Sequence, residues 1–184
     1  MTTDMARVRR LATDQLDDAD VAAIRQLLIA AFADDGEGFT DEDWAHSVGG
    51  LHVVLDIGGS IAAHASIVER ELHIGDRPVR TGYAEAVAVA PERQRSGLGS
   101  RVMTEVNDVI RTRHELGALG TGSPAFYERL GWIRWLGPTA VRVGGQTIRT
   151  PDDDGGILVL PTPRSPHFER TMLISCAWRA GDVW

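Results

Sequence analysis

The run from Tyr83 to Ile110 constrains this chain more than any other stretch. Tyr83-Ala84-Glu85-Ala86-Val87-Ala88-Val89 reads as an apolar strand with one acid inside it. A turn follows, Pro91 to Ser100. Then Leu98, Val102, Met103, Val106, Val109 and Ile110 recur at the spacing of one face of an amphipathic helix, predicted over Gly97–Glu115. A strand that feeds a Gln/Arg/Gly-rich turn into a helix start makes an anion cradle. Backbone N–H groups and the positive end of the helix dipole meet there. Gly97 and Gly99 let a ligand approach the backbone. Arg93, Arg95 and Arg101 add positive charge. The stretch predicts a phosphate-bearing ligand over Gln94, Arg95, Ser96, Gly97, Leu98 and Gly99; the bland alternative is a glycine-softened turn that holds nothing. A dinucleotide fingerprint fits less well, because Val102 stands where its third glycine belongs. A P-loop is excluded, since the chain has no lysine.

A chain of 184 residues with 43% hydrophobic content predicts a single soluble domain over 1–184. No apolar run approaches a membrane span, and the first twenty residues carry Arg7, Arg9 and Arg10 but no apolar leader core. The expectation is a cytoplasmic protein with no membrane partner. A net charge of −7 argues against nucleic acid as a partner. The lone cysteine, Cys176, excludes an internal disulfide; it is a weak candidate nucleophile and reads better as a small buried side chain. His46, His52, His64, His73, His114 and His167 form no HxH, HExxH or Cys/His group, so no metal is expected.

Around the central stretch the pattern predicts a mixed α+β order. Arg7–Ala12 is a first strand, and Asp17 or Asp18 caps a helix whose face is Val21, Ile24, Leu27, Leu28 and Ala31. Thr40 caps a short helix through Val48. Leu51–Ile57 and Ile61–Leu72 form a hairpin about Gly58-Gly59, and Val79–Val89 follows the Gly75-Asp76 turn. Beyond the long helix come a strand Leu116–Gly120, a helix Pro124–Leu130 and a strand Trp132–Leu136. Ala140–Val143 and Gln146–Arg149 flank Gly144-Gly145, and Ile157–Leu160 and Met172–Ala177 close the chain.

Several side chains carry chemistry. Glu85 lies in an apolar strand, where an unpaired carboxylate is costly. Either an edge or bulge keeps it wet, or it is a general base whose pKa its surroundings raise. Tyr127 stands in Pro124-Ala125-Phe126-Tyr127-Glu128; its phenol either packs under the sheet or offers a proton at a wet tip. Two acidic clusters are unusual: Asp34, Asp35, Glu37, Asp41, Glu42 and Asp43 without a basic neighbour, and Asp152-Asp153-Asp154 after Pro151. Charge runs are usually solvated faces. Beside an anion cradle they also suggest a second, negative site for a cationic acceptor. One carboxylate–ammonium pair at 4 Å gains about 1 kcal/mol in water and about 4 near a protein surface. The chain ends on Trp184, which either frays or buries its ring and fixes its carboxylate as a further anion.

These motifs carry a resemblance. Gln94-x-x-Gly97-x-Gly99 is similar to the pyrophosphate turn of the GCN5-related N-acetyltransferases (GNAT). The likeness extends over nearly the whole chain. It includes Asp43-Trp44 with Gly49-Gly50, Gly82-Tyr83-x-Glu85-x-Val87-Ala88-Val89, Leu116-Gly117-Ala118-Leu119, Gly131-Trp132, Gly137-Pro138-Thr139, Arg149-Thr150-Pro151-Asp152-Asp153-Asp154-Gly155 and Trp178 to Trp184. Together they resemble the aminoglycoside 2′-N-acetyltransferases of that superfamily. The resemblance implies the GNAT fold: a mixed, mostly antiparallel sheet, with strands four and five parallel and splayed, flanked by helices. It implies acetyl-CoA as cosubstrate, with Val87, Ala88 and Val89 along the pantetheine arm and Gln94 to Gly99 on the pyrophosphate. It further implies aminoglycoside contacts from Glu85, Ala86, Asp152, Asp153 and Trp184, and a homodimer. Two departures stand out. Gly36-Glu37-Gly38 is inserted before Phe39-Thr40, so Asp35 or Glu37 fills the role of the family's loop aspartate. Gly120 replaces a family serine. Either Thr121 or Ser123 supplies that hydroxyl, or the sugar is held by one hydrogen bond fewer.

The reaction this implies is direct acetyl transfer to a cationic aminosugar, conferring drug resistance. Glu85 removes a proton from the attacking amine, the Val87 N–H stabilises the developing oxyanion, and Tyr127 protonates the departing sulfur. Rival readings are an acetyltransferase for another polyamine or a protein amine, and a CoA-binding module without turnover.

Overall fold

The computed structural model describes residues 6–34, 36 and 38–184. Two compact units divide the chain, residues 1–68 with 84–106 and residues 69–83 with 107–184. The divisions fall inside two strands and one helix, so neither unit is one contiguous stretch.

In the first unit, β1 (Arg7–Ala12) pairs antiparallel with β2 (Leu51–Ile57), from Arg7↔Asp56 to Ala12↔Leu51. β2 turns at Gly58-Gly59 into β3 (Ser60–Ile74), whose first part pairs back along it. α1 (Asp18–Ala31) starts where Asp17 accepts from the Asp20 N–H at 2.7 Å. Ile24, Leu27 and Leu28 are its buried stripe, packed with Val54, Ala88 and Ala90. Val21 and Ala31, predicted on the same face, are half-buried at its margin. Thr40 caps α2 (Asp41–Ser47) in a capping box with Asp43. Arg9 bridges Asp20 and Asp56, each at 2.7 Å, which ties α1 to the β1–β2 ladder.

β4 (Arg77–Val89) begins in the second unit and ends in the first. α3 (Leu98–Arg113) runs the other way, burying Val102, Met103, Val106, Val109 and Ile110. It starts one residue later than predicted, because Gly97 sits at φ +85°, outside helical space.

The strand order that runs through the second unit is β6 (Ile133–Arg134), β9 (Ile157–Pro161), β5 (Leu116–Gly120), β4, β3, β10 (Ile174–Ala177), β7 (Thr139–Val143), β8 (Gln146–Arg149). β5 (Leu116–Gly120) lies parallel to β4 from Thr81↔Leu116 to Tyr83↔Ala118. There the ladder stops. On its other edge β5 pairs antiparallel with β9 (Ile157–Pro161) along its whole length, and beyond Ala118 it continues along β9 while it parts from β4, so the two parallel strands splay. α4 (Pro124–Glu128) is shorter than the predicted helix and gives way to a turn closed by Leu130 N–H on Tyr127 O. β6 (Ile133–Arg134) is only a fragment of the predicted Trp132–Leu136 strand. Leu136 and Gly137 donate to the Arg170 carbonyl, which pulls the backbone off the ladder. Trp132 and Trp135 are both buried, and each indole N–H is satisfied at 2.9 Å, by Asn107 Oδ1 and by Met172 O. β7 (Thr139–Val143) and β8 (Gln146–Arg149) form the predicted hairpin about Gly144-Gly145. β10 (Ile174–Ala177) lies parallel to β7 and carries Cys176 fully buried. It opens two residues later than predicted because Met172 N–H turns back onto Glu169 O.

Candidate active site

β4 supplies the first group of residues. Ala86 adopts φ +49°, a left-handed conformation that alanine seldom takes, and this marks a bulge. Its effect shows in burial: Ala84 and Ala88 are buried, while Glu85, Ala86 and Val87 are half-exposed in succession. Glu85, Val87 and Val89 are all half-buried while Ala84, Ala88 and Ala90 are buried, so within this stretch Ala86 is the residue that departs from alternation. Glu85 takes the position a bulge predicts, open to water. Two carbonyls here are bound by side chains of β3: Ser66 Oγ donates to Glu85 O at 3.3 Å, and His64 Nδ1 to Ala86 O at 2.9 Å.

After Val89 the chain makes a single 3₁₀ turn, Pro91–Arg93, and then the loop Gln94 to Gly97. Gln94, Arg95, Ser96 and Gly97 are exposed; Leu98 and Gly99 are half-buried. Arg95 (φ +60°) and Gly97 (φ +85°) bend the loop so that α3 begins facing solvent. Among the described residues, a Cβ on Gly97 would meet nothing within 4 Å, so the loop there opens onto clear space. Arg101 N–H donates to Gly97 O at 3.1 Å to close the first helical turn, while its guanidinium donates to Ala6 O at 2.9 Å. N–H groups of the first turn have no helix carbonyl to reach and are the natural donors to an anion.

The second unit holds the acids. A cavity of about 380 Å³ is walled by Gly120, Thr121, Asp152, Asp153, Asp182 and Trp184, with Gly122, Gly156 and Ile157 completing it. Among the described residues, no basic side chain lines it. Asp152 and Asp153 sit on a 3₁₀ turn, Pro151–Asp153, which Thr150 O closes by accepting from Asp153 N–H at 3.0 Å. Burial raises the Asp153 pKa; a hydrogen bond with Thr150 opposes this, and the charges of Asp182, Asp152 and Asp154 push it further up. Asp154 is committed elsewhere. It accepts from Thr139 N and Oγ1 at 2.8 Å each and from Arg149 at 2.7 Å, and these partners, Thr139 first, hold its carboxyl below the usual range. Of three consecutive aspartates, one thus anchors the turn and two face the cavity.

Trp184 does not fray. It is buried, with its indole N–H on Thr150 Oγ1 at 3.0 Å and its backbone N–H on Asp182 Oδ1 at 3.1 Å. Arg179 donates to Trp184 O at 3.2 Å, and Arg70 to Val183 O at 2.8 Å. Gly120 borders the same cavity, and a Cβ there would meet Tyr83 Oη at 3.5 Å and Trp184 C at 3.7 Å, ordinary contacts that leave room for a side chain. Thr121 lines the cavity; Ser123 does not. Tyr127, on α4, stacks edge-on with Phe126 (4.9 Å) and Trp132 (6.3 Å). It is half-buried, and burial pushes its phenol up to about 12, so the proton stays on at any working pH. Asp35 and Glu37 lie outside the described residues. Among the described residues, no group of three His, Cys, Asp or Glu is placed to hold a metal, and no helix is long and apolar enough to cross a membrane.

The acetyltransferase (GNAT) domain description matches residues 12–134 of this sequence. The chain belongs to the GNAT acetyltransferase family. It is 40% identical over 180 residues to an aminoglycoside 2′-N-acetyltransferase of Mycolicibacterium fortuitum, covering 96% of this chain and 91% of that protein. Solved structures share the fold. A GNAT acetyltransferase from Brucella melitensis in complex with acetyl-CoA matches with TM-score 0.62, 18% identity and coverage of 96% and 97%. YhbS from Escherichia coli in complex with CoA matches with TM-score 0.65, 18% identity and coverage of 93% and 89%. A longer GNAT structure from Kribbella flavida matches with TM-score 0.59 at 24% identity; this chain spans 34% of its length.

Within this GNAT chain, one cavity gathers Gly120, Asp152, Asp153 and Trp184, which the sequence named among the acceptor contacts, with Asp182, which it did not. The only signal for Asp182 was an acid beside an apolar terminus. Sequence spacing placed it close to Trp184, but only the folded tail turns it toward Asp153.

Proposed function

We propose that the protein transfers the acetyl group of acetyl-CoA to the 2′-amine of aminoglycosides, as one acetyltransferase domain over 1–184. The observation that carries the acceptor class is the cavity of the second unit. Three carboxylate side chains and no basic one line it, and its volume lies in the range of small-molecule sites. Mutual repulsion among Asp152, Asp153 and Asp182 is relieved when a polyammonium ligand enters. Similarity to the Mycolicibacterium fortuitum enzyme over 96% of this chain supports the same acceptor and position.

Acetyl-CoA supplies an activated thioester. Val87, Ala88 and Val89 lie along its pantetheine arm, and the backbone of Gln94, Arg95, Ser96, Gly97, Leu98 and Gly99 holds its pyrophosphate. Glu85 takes a proton from the acceptor ammonium through water, leaving the amine free to attack. The Val87 N–H donates to the carbonyl oxygen as negative charge develops. Ala86 offers its backbone to the aminoglycoside, and Tyr127 hydrogen-bonds and then protonates the leaving sulfur. Asp35 or Glu37 adds a further acid to the acceptor site. We place the enzyme in the cytoplasm as a homodimer that confers drug resistance.

The test is acetyl-CoA-dependent release of CoA against a panel of aminoglycosides. Drugs with a 2′-amine should turn over and 2′-hydroxyl analogues should not. Equal turnover of both classes would show that the site of acetylation is wrong. Turnover of linear polyamines alone would move the assignment to another acceptor.

A further inference from the structure

β2 and β3 each carry one histidine into the core of the first unit. His52 and His64 are both fully buried. Burial lowers the first to about 4 and the second to about 3, so both are neutral. The reaction outlined above uses neither. A continuous chain of contacts runs through them. Gly49 N lies 2.9 Å from Thr13 Oγ1, Thr13 Oγ1 2.9 Å from His52 Nε2, His52 Nδ1 3.0 Å from His64 Nε2, and His64 Nδ1 2.9 Å from Ala86 O.

The chemistry of the end groups orients every proton in it. A carbonyl only accepts, so His64 Nδ1 carries hydrogen. A neutral His64 then presents a lone pair at Nε2, and His52 must donate from Nδ1. That leaves His52 Nε2 to accept, and Thr13 donates to it while accepting from the Gly49 N–H. The opposite polarity has Thr13 donate to Gly50 O, 3.3 Å away. It would leave His64 protonated on both nitrogens, a buried cation without an anion beside it. The chain is therefore unidirectional, and it ends on a peptide carbonyl. Such a carbonyl cannot pass a proton on, so the chain orients rather than conducts.

What it orients is the Ala86–Val87 peptide. No described peptide bond is cis, so the Val87 N–H points opposite to the Ala86 carbonyl. A donor on the carbonyl sets the plane of the peptide and polarises its N–H. Ala86 holds a left-handed φ of +49°, a strained conformation that persists only where the surroundings enforce it. Ser66, also fully buried, binds the preceding carbonyl in the same way.

We propose that His52 and His64 are positioning residues that hold the strained Ala86–Val87 peptide, so that its N–H is presented as the oxyanion donor. This inference rests on the role given to Val87 in the proposed function. His64 holds the peptide, His52 locks the tautomer of His64, and Thr13 locks that of His52.

The experiment pairs kinetics with the amide resonance of Val87. Asparagine reproduces the Nδ1 donor of histidine; leucine removes it. His64→Leu should lower kcat about 10- to 100-fold, below the roughly 10²- to 10³-fold loss of an oxyanion donor outright, with KM for acetyl-CoA nearly unchanged. Its Val87 amide proton should move upfield. His64→Asn should recover most of the rate. His52→Leu touches neither peptide nor substrate, yet should lower kcat about tenfold through loss of the tautomer lock, and His52→Asn should restore it. Should a core leucine variant fail to fold, Thr13→Val at the half-exposed end of the chain decides, with a smaller loss in the same direction. The inference is overturned if the Val87 amide and kcat keep wild-type values in the leucine variants, or if asparagine and leucine lose activity alike. Absence of turnover by the wild type would instead strike the proposed function, while the Val87 resonance still reports on the peptide.

Discussion

Tyr127 is where packing and chemistry compete within one side chain. Its ring contacts Phe126 and Trp132 edge-on, and its phenol is raised to about 12. Tyr127→Phe keeps both ring contacts and removes only the proton. If the phenol protonates the leaving sulfur, kcat should fall by about 10²- to 10⁴-fold with KM nearly constant in steady-state assays. A packing role would leave kcat within about twofold. Gly120 makes the complementary case. The space around its Cβ is ordinary van der Waals distance, so Gly120→Ser should fold normally and bring a hydroxyl to the cavity beside Trp184. KM for a 2′-amino drug should drop by a few fold, which one good hydrogen bond of about 1 kcal/mol corresponds to. An unchanged or higher KM would mean that Thr121 already makes that hydrogen bond.

At the scale of elements, the cradle between β4 and α3 depends on backbone, not on side chains. Gly97 holds φ +85° with open space before it. Gly97→Asp strains that conformation and sets a negative charge at the positive end of α3. Calorimetry should show acetyl-CoA binding abolished while circular dichroism stays native, because no core residue is disturbed. Unchanged affinity would remove the cradle from the mechanism. The C-terminal tail is the other element whose position matters. Trp184 is held by Thr150, Asp182 and Arg179, so deleting Val183 and Trp184 removes a wall of the acidic cavity. KM for the aminoglycoside should rise sharply and that for acetyl-CoA should not.

The whole molecule should respond to acid through its buried histidines. His52 and His64 stand at about 4 and about 3 in the folded protein, against an ordinary 6.5. The sign follows directly. Above pH 6.5 neither folded nor unfolded chain binds these protons, and the stability is fully present. Below it the unfolded chain takes up two protons that the folded chain refuses. Stability should then fall by up to about 2.7 kcal/mol per pH unit, until pH approaches 4 and the folded histidines begin to titrate. Urea melts between pH 7 and 5 should show at least that slope, and a double His52→Asn, His64→Asn variant should remove it and leave only the contribution of buried His114, whose pKa burial also lowers. A flat wild-type profile would mean that the pair is not neutral and buried together.

Sequence periodicity determined most elements of this protein because it reports directly on local physics. β1, β2, β5 and β8 have the predicted bounds, the Gly-Gly turns fall where predicted, and Thr40 and the residue before α1 cap their helices. The strand–turn–helix from Tyr83 to Ile110 was legible for the same reason, since glycines, arginines and a 3.6-residue apolar face are neighbours in the chain. Where the reading ran long, as at Trp132–Leu136, a partner distant in sequence decided: Arg170 O drew the backbone away from β9. The bulge at Ala86 was foreseen only as one account of Glu85, because φ at an alanine depends on what grips its carbonyl, and His64 arrives from another strand. Asp154 looks identical to Asp152 and Asp153 in sequence, yet Thr139 and Arg149 claim it and leave the other two to the cavity. The six histidines, weighed by sequence only as metal ligands, include a pair twelve residues apart that antiparallel pairing of β2 and β3 brings to 3.0 Å. Spacing along one chain cannot show such a contact, because strand register, not sequence distance, sets which side chains meet.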